Sequence, residues 1–251
     1  MIRLQGIGKR FGDHQVLEDI NATFGPGQVN MVIGASGSGK SVLMKIMVGL
    51  VIPDQGDLQY ENESLASMDR EAKQGLRQNI GMLFQNAALF DSLTVEDNLL
   101  FPLRMFKPAS RAEMLERAAY CLERVGLAGK GPLYPSELSG GMKKRVGIAR
   151  AIVLGPRYLF CDEPNSGLDP KTSLKIDHLI RDLTQEFNIT TVVNTHDMNS
   201  VLECADHIIF LHKGHKTWEG DRHEILRSED SALNELVYAT RFLQQFRDRS
   251  S

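Results

Sequence analysis

Three short runs rich in apolar and β-branched residues punctuate the chain, and each stops at polar residues. Val29-Asn30-Met31-Val32-Ile33 ends at Gly34, after which residues 41–50 carry Val42, Leu43, Ile46 and Met47 at helical spacing. That order predicts a buried strand, a glycine-rich loop and a helix. Tyr158-Leu159-Phe160-Cys161 is followed by Asp162-Glu163-Pro164, and Thr190-Thr191-Val192-Val193-Asn194 by Thr195-His196-Asp197. Polar residues at the C-terminal ends of buried strands mark the ligand edge of an open parallel sheet, so the pattern predicts an α/β core whose strand ends share one crevice.

Residues 102–131 differ in character. Met114, Leu115, Ala118, Ala119, Leu122 and Val125 recur at helical spacing among Arg and Glu, which predicts part of a helical subdomain, about residues 86–156, inserted into the core. Residues 2–24 alternate apolar and polar positions in places and predict antiparallel strands. From Ser228 a tail carries Leu233, Leu236, Val237, Leu243 and Phe246 at roughly helical spacing. The expected division is therefore an α/β core over residues 1–227, with the helical subdomain inserted in it, and a helical tail over residues 228–251.

Charge narrows the partners. With 29 Lys+Arg against 32 Asp+Glu the formal net charge is −3, leaving no basic excess to follow a nucleic-acid backbone. No apolar run approaches the 18 or so residues of a membrane span, and the first residues lack a signal-peptide pattern, so a cytoplasmic protein is expected. Cys121, Cys161 and Cys204 are odd in number and have no Cys-x-x-Cys spacing, which argues against a disulfide framework or a zinc site and for reduced core residues.

Chemistry enters at the loop after the first strand. Gly34-Ala35-Ser36-Gly37-Ser38-Gly39-Lys40-Ser41 has the spacing of a phosphate-binding loop: glycines turn backbone N–H groups inward, Lys40 reaches phosphate oxygens, and the Ser41 hydroxyl suits Mg²⁺. Asp162 and Glu163 occupy the position of a Mg²⁺-organising carboxylate followed by one that polarises water; a polar strand-end pair has the same appearance. Ser139-Gly140-Gly141 opens a helix continuing through Val146, Ile148, Ala149 and Ile152, either as a second anion site or as an ordinary capping turn. His196 reads as a site residue or as the cap of the next helix. The other histidines have no metal-site spacing.

Taken in order, residues 34–41, Gln85 within Leu83-Phe84-Gln85-Asn86, Leu138-Ser139-Gly140-Gly141-Met142, Leu159 to Pro164, Ser166-Gly167-Leu168-Asp169 and His196 resemble the motif set of an ABC transporter nucleotide-binding subunit, over about residues 2–220. The resemblance implies a P-loop NTPase of ABC type: a mixed core sheet, an N-terminal antiparallel β-subdomain and an inserted α-helical subdomain. It implies ATP and Mg²⁺ as cofactors. Phe11 would stack on adenine beside Val16, though it also reads as an ordinary strand aromatic. Gly34, Ala35, Ser36, Gly37, Ser38, Gly39, Lys40, Ser41 and Val42 would hold the phosphates, with Ser41, Gln85 and Asp162 on the metal. Glu163 would be the general base, and His196 a switch residue at the γ-phosphate. Ser139, Gly140 and Gly141 would reach ATP on a second copy, and Asp169 would lie in the inter-subunit loop, so a head-to-tail homodimer is implied.

Met142 departs from the Gln of most ABC signatures and cannot replace its hydrogen bonds. The strings Gly81 to Phe90 and Pro135 to Arg145, with Met142, are most similar to the Mla-type ATPases, which energise lipid-transport permeases working with MCE-domain proteins. That resemblance implies phospholipid cargo, an integral-membrane permease, a periplasmic MCE-type lipid-binding partner, and a place on the cytoplasmic face of the bacterial inner membrane. Leu89, Phe90, Leu93 and Val95 follow Gln85 where such subunits receive a coupling helix; core packing is the other reading for part of them. The tail from Ser228 resembles a helix contacting another subunit or a small cytoplasmic accessory subunit, and equally reads as a helix packed on its own domain. A non-transport ABC subunit of a cell-division complex would carry a nearly identical ATP site. With 251 residues, no large C-terminal regulatory domain is expected.

Overall fold

The computed structural model describes residues 1–107 and 109–238. In chain order the elements are β1 (Ile2–Phe11), β2 (His14–Phe24), β3 (Val29–Ile33), α1 (Lys40–Met47), β4 (Gln55–Tyr60), β5 (Glu63–Ser64), α2 (Arg70–Gln78), β6 (Ile80–Leu83), α3 (Val95–Phe106), α4 (Arg111–Arg124), α5 (Gly140–Ile152), β7 (Tyr158–Asp162), α6 (Pro170–Glu186), β8 (Thr190–Thr195), α7 (Met198–Cys204), β9 (His207–His212), β10 (His215–Gly220) and α8 (Ser231–Val237). The chain divides into two units. One comprises Met1–Gly25, Val29–Ser67 and the stretch from Asn194; the other comprises Pro26–Gln28 and Met68–Val193.

In the first unit, β2, β1, β4 and β5 form an antiparallel sheet in that order. Alternation, reset by register shifts between Leu4 and Ile7 and between Ile7 and Lys9, sets its core face: Ile2, Leu4 and Ile7 of β1 and Leu17, Ile20, Ala22 and Phe24 of β2 are all buried. Strand β3 pairs in parallel with β9, which pairs antiparallel with β10, so this set is mixed. All five residues of β3 are buried, Asn30 among them, which is why the run reads as nearly continuous apolar sequence. Helix α1 follows and ends at Met47, short of the expected residue 50, because Gly49 turns left-handed at φ 74°.

In the second unit β6 runs parallel to β7, in register from Ile80 opposite Tyr158 to Leu83 opposite Cys161. Helix α5 buries Val146, Ile148, Ala149 and Ile152, each large side chain contributing about 1.5–3 kcal/mol of transfer free energy. The helical segment expected from residue 102 starts earlier. Thr94 caps α3 by accepting from the Asp97 amide at 3.1 Å, and Pro102 lies inside the helix. Buried Asn98, one turn before Pro102, donates to the Phe90 and Thr94 carbonyls and accepts from the Phe90 amide at 2.9 Å. Helix α4 carries a capping box between Ser110 and Glu113. All three cysteines are buried, and none is in a disulfide.

Of the tail, α8 buries Leu233 and Val237 within the first unit, its start capped by Asp230. Leu243 and Phe246 lie outside the described residues.

Candidate functional site

The first unit carries the loop from Gly34 to Gly39, between β3 and α1. Gly34 has φ 154°, and a Cβ there would lie 2.3 Å from the Leu211 carbonyl oxygen and 2.6 Å from Ser38 Oγ, so only a bare backbone passes. Gly39 caps α1 with no side-chain acceptor, leaving the first-turn amides to an external anion. A Cβ at Gly39 would come 3.0 Å from the Val16 carbonyl oxygen, which places Val16 against the end of the loop. Lys40 is buried, and its ammonium donates to the carbonyls of Gly34 at 2.7 Å and Ala35 at 3.0 Å. The loop therefore curls around a buried positive charge. Ala35, Ser36 and Gly37 are exposed, whereas Ser38 is buried and its amide donates to Ala35 O at 3.2 Å. Ser38 Oγ has no hydrogen-bond partner among the described residues. A buried hydroxyl lacking a partner and uncapped helical amides beside a lysine fit a phosphate chain. Ser41 is exposed and Val42 half-buried on the next turn.

Phe11 ends β1 in the hairpin pair with His14 and is 52% exposed, with the Lys9 ammonium 5.3 Å from its ring centroid. Exposure on this scale goes against a core aromatic and leaves ring surface for stacking. His196 is exposed just after β8. The helix-capping task falls to its neighbour: Asp197 accepts from the Asn199 amide at 2.9 Å, so His196 is not the cap of α7. Asn194 of β8 donates to Met44 Sδ at 3.7 Å, tying this strand end to α1.

The second unit carries the other group. Gln85 is exposed two residues beyond β6, and its amide donates to Ser166 Oγ at 3.2 Å. Asp162 is the last residue of β7, and Glu163 follows in left-handed backbone at φ 48°, both half-buried. Ser139 caps α5 by accepting from the Met142 amide at 3.3 Å. Gly140 is exposed, Gly141 buried and Met142 half-buried. Asp169 caps α6, and the Thr172 hydroxyl at 2.6 Å together with the Thr172 amide holds its carboxyl below the ordinary carboxylate value. Of the residues expected on the metal, Ser41 belongs to the first unit and Gln85 and Asp162 to the second. Hydroxyl, amide and carboxylate oxygens are a donor set suited to Mg²⁺.

Two cationic side chains of α5 were not singled out by motif. The Lys144 ammonium donates to the carbonyls of Gln85 and Glu163, and Arg150 donates to those of Ala87 and Ala88, both at 2.8 Å. Their signal in the sequence is a charged residue set within the apolar stripe Val146, Ile148, Ala149 and Ile152.

Residues 17–166 match the family model described as ABC transporter. The Mycobacterium tuberculosis protein named probable ribonucleotide transport ATP-binding protein mkl is 34% identical over 240 residues, covering 96% of this chain and 67% of that protein. The methionine import ATP-binding protein MetN of Caulobacter vibrioides is 40% identical over 228 residues, covering 90% of this chain and 68% of its own. Among solved structures, the dimeric bacterial ABC transporter cassette MJ0796 superposes with a TM-score of 0.80 at 32% identity, over 88% of this chain and 99% of the cassette. The cbiO1 subunit of Clostridium perfringens, part of the ABC transporter complex cbiONQ, gives 0.85 at 26% identity over 98% of each chain.

Proposed function

This chain belongs to the ABC transporter family, and we propose that it works as a head-to-tail homodimer that drives lipid movement through a separate membrane permease. Its fold is the ABC-type P-loop NTPase fold, and it is the ATP-binding, ATP-hydrolysing subunit of an ABC transporter.

The observation that carries the dimer reading is the exposed start of α5. Ser139 and Gly140 face solvent at a helix N-terminus, where an approaching phosphate meets backbone amides. The solved cassette that this chain resembles is dimeric. Each copy then gives its loop from Gly34 to Ser41 to one ATP and its Ser139-Gly140-Gly141 turn to the other. Lys40 and the α1 amides neutralise phosphate charge, Phe11 stacks on the base beside Val16, and His196 contacts the γ-phosphate. Glu163 takes the proton of the attacking water, which Gln85 orients. Ser41, Gln85 and Asp162 are the residues that would hold Mg²⁺, which would supply positive charge against the phosphate oxygens.

Several apolar side chains of the second unit support permease docking. Phe84, Phe90, Phe101, Met105 and Phe106 are all exposed, and the Phe90 and Phe101 rings lie 4.9 Å apart. Val95 is buried and belongs to the core, while Leu89 and Leu93 are half-buried between the two. No described helix is long and apolar enough to cross a membrane, in keeping with a peripheral subunit on the cytoplasmic face of the inner membrane.

Lipid as cargo is supported by Met142 and the string Gly81 to Phe90, with an MCE-type periplasmic protein as the further partner; a small accessory subunit would meet the C-terminal tail. The relatives' names point to ribonucleotides and methionine, so the test is direct. The complex purified with its permease should retain phospholipid detectable by mass analysis. Retention of methionine or nucleotide cargo in its place overturns the lipid assignment. For the hydrolytic roles, Glu163→Gln should bind ATP and accumulate as dimer with turnover lowered about 10²–10⁴-fold. Wild-type turnover in that variant removes the general base.

A further inference from the structure

Strands β6 and β7 run in parallel register up to Leu83 opposite Cys161. Gln85 and Glu163 each lie two residues further on, one level beyond Phe84 and Asp162 and past the end of the ladder. At that level the Lys144 ammonium donates to both main-chain carbonyls, to Gln85 O and, at 3.3 Å, to Glu163 O. Where two strands have diverged, one side chain spans both.

Lys144 is 5% exposed, and its burial lowers its pKa from the ordinary lysine value, opposed by the Glu163 carboxylate just beyond β7. A buried ammonium is costly unless its hydrogen bonds are made, so retaining one here in place of an apolar side chain indicates a geometric task. The same face of α5 continues the grip. At Gly147 a Cβ would come 2.7 Å from Leu83 Cδ1, and Arg150 holds the carbonyls of Ala87 and Ala88, two non-glycine residues in left-handed backbone at φ 58° and 47°. Helix α5 thus clamps the segment from Leu83 to Ala88 through Lys144, Gly147 and Arg150, three residues apart along one face.

We propose that Lys144 is a positioning residue for ATP hydrolysis: its ammonium replaces the missing rung between Gln85 and Glu163 and fixes both to the helix that begins at Ser139. It acts through the main chain of those residues and touches no reacting atom. The inference rests on the reading of Gln85 and Glu163 as the residues that handle the attacking water.

Steady-state ATPase kinetics of the full chain test it, with Lys144→Met, Lys144→Gln and Glu163→Gln compared. Met fills the space without a donor, whereas Gln keeps N–H donors without the charge. Lys144→Met should lose about 100-fold in kcat, as expected for a displacement on the order of 1 Å, with KM for ATP changed less than about twofold. Lys144→Gln should recover most of the loss. Wild-type kcat in Lys144→Met, alongside an inactive Glu163→Gln, overturns the proposal and leaves the general base standing. Equal losses of kcat and ATP binding that Lys144→Gln does not recover, or a Lys144→Met chain that fails to fold, assign Lys144 to stability and also overturn it. Full turnover in Glu163→Gln strikes the parent reading and is distinguishable from both.

Discussion

Replacing Gly140 by alanine separates what α5 does for the fold from what it does for the nucleotide. Gly140 is the first residue of the helix, and its backbone does not occupy the left-handed region. A Cβ built on it meets Leu168 Cδ2 at 3.5 Å, an ordinary van der Waals contact. Alanine therefore brings neither strain nor overpacking, and its helix propensity exceeds that of glycine by at most about 1 kcal/mol. Stability should change by less than about 0.5 kcal/mol, the usual range for a surface substitution, and Tm by no more than about 2 °C. The added methyl instead stands at the exposed helix start that a phosphate must approach, and displacing that phosphate by about 1 Å should lower turnover about 100-fold. Gly141→Ala is the contrast. There the Cβ would lie 2.6 Å from Thr172 Cγ2, and the Thr172 hydroxyl is held by Asp169 at 2.6 Å, so the methyl has little room to rotate away. That variant should lose about 1–3 kcal/mol of stability as well as turnover. Calorimetry and ATPase assays on the two chains decide the matter. A Gly140→Ala chain with unchanged Tm and wild-type turnover would refute the assignment of the α5 start to the nucleotide.

Lys40→Ala leaves the carbonyls of Gly34 and Ala35 without their ammonium donor and takes the charge from the loop. Nucleotide binding, measured by equilibrium titration, should fall severely, and normal binding with normal turnover would count against the phosphate role. Phe90→Ser removes an exposed ring from the apolar cluster and should uncouple the permease while nucleotide binding is retained; a chain that unfolds would show that ring to be core. Burial pushes the Cys121 thiol up to about 11 and the Cys161 thiol higher still, so both stay protonated at neutral pH. A thiol reagent at pH 8 should modify them only after unfolding, and rapid modification of the native chain would contradict the packing.

Legibility followed the range of the interactions. Strands β3, β7 and β8 announce themselves because burial on both faces leaves each a short run of apolar and β-branched residues with few polar ones, and the loop from Gly34 to Ser41 because its chemistry lies within eight consecutive residues. Helix α2 has no buried residue, so no apolar stripe marks it. Pro102 hides the true start of α3, which the Thr94 cap and the Asn98 side chain set from residues before it. His196 reads as a possible cap, yet Asp is the far better N-cap residue, and the Asn199 amide donates to Asp197. Lys144 is the clearest omission. Its partners stand 59 and 19 residues away, at the ends of two different strands, and nothing local to α5 names them.

The central claim is that each ATP is hydrolysed between the loop of one copy and the α5 start of another. Mixing two impaired chains, Lys40→Ala and Gly140→Ala, tests it most directly. In a head-to-tail pair the mixed dimer holds one site with both defects and one with neither, so the mixture should turn over ATP far faster than either variant alone. If loop and signature of one chain served the same nucleotide, every site would carry one defect. A mixture as inactive as its components, with mixed dimers demonstrated by differential tagging, would contradict the account.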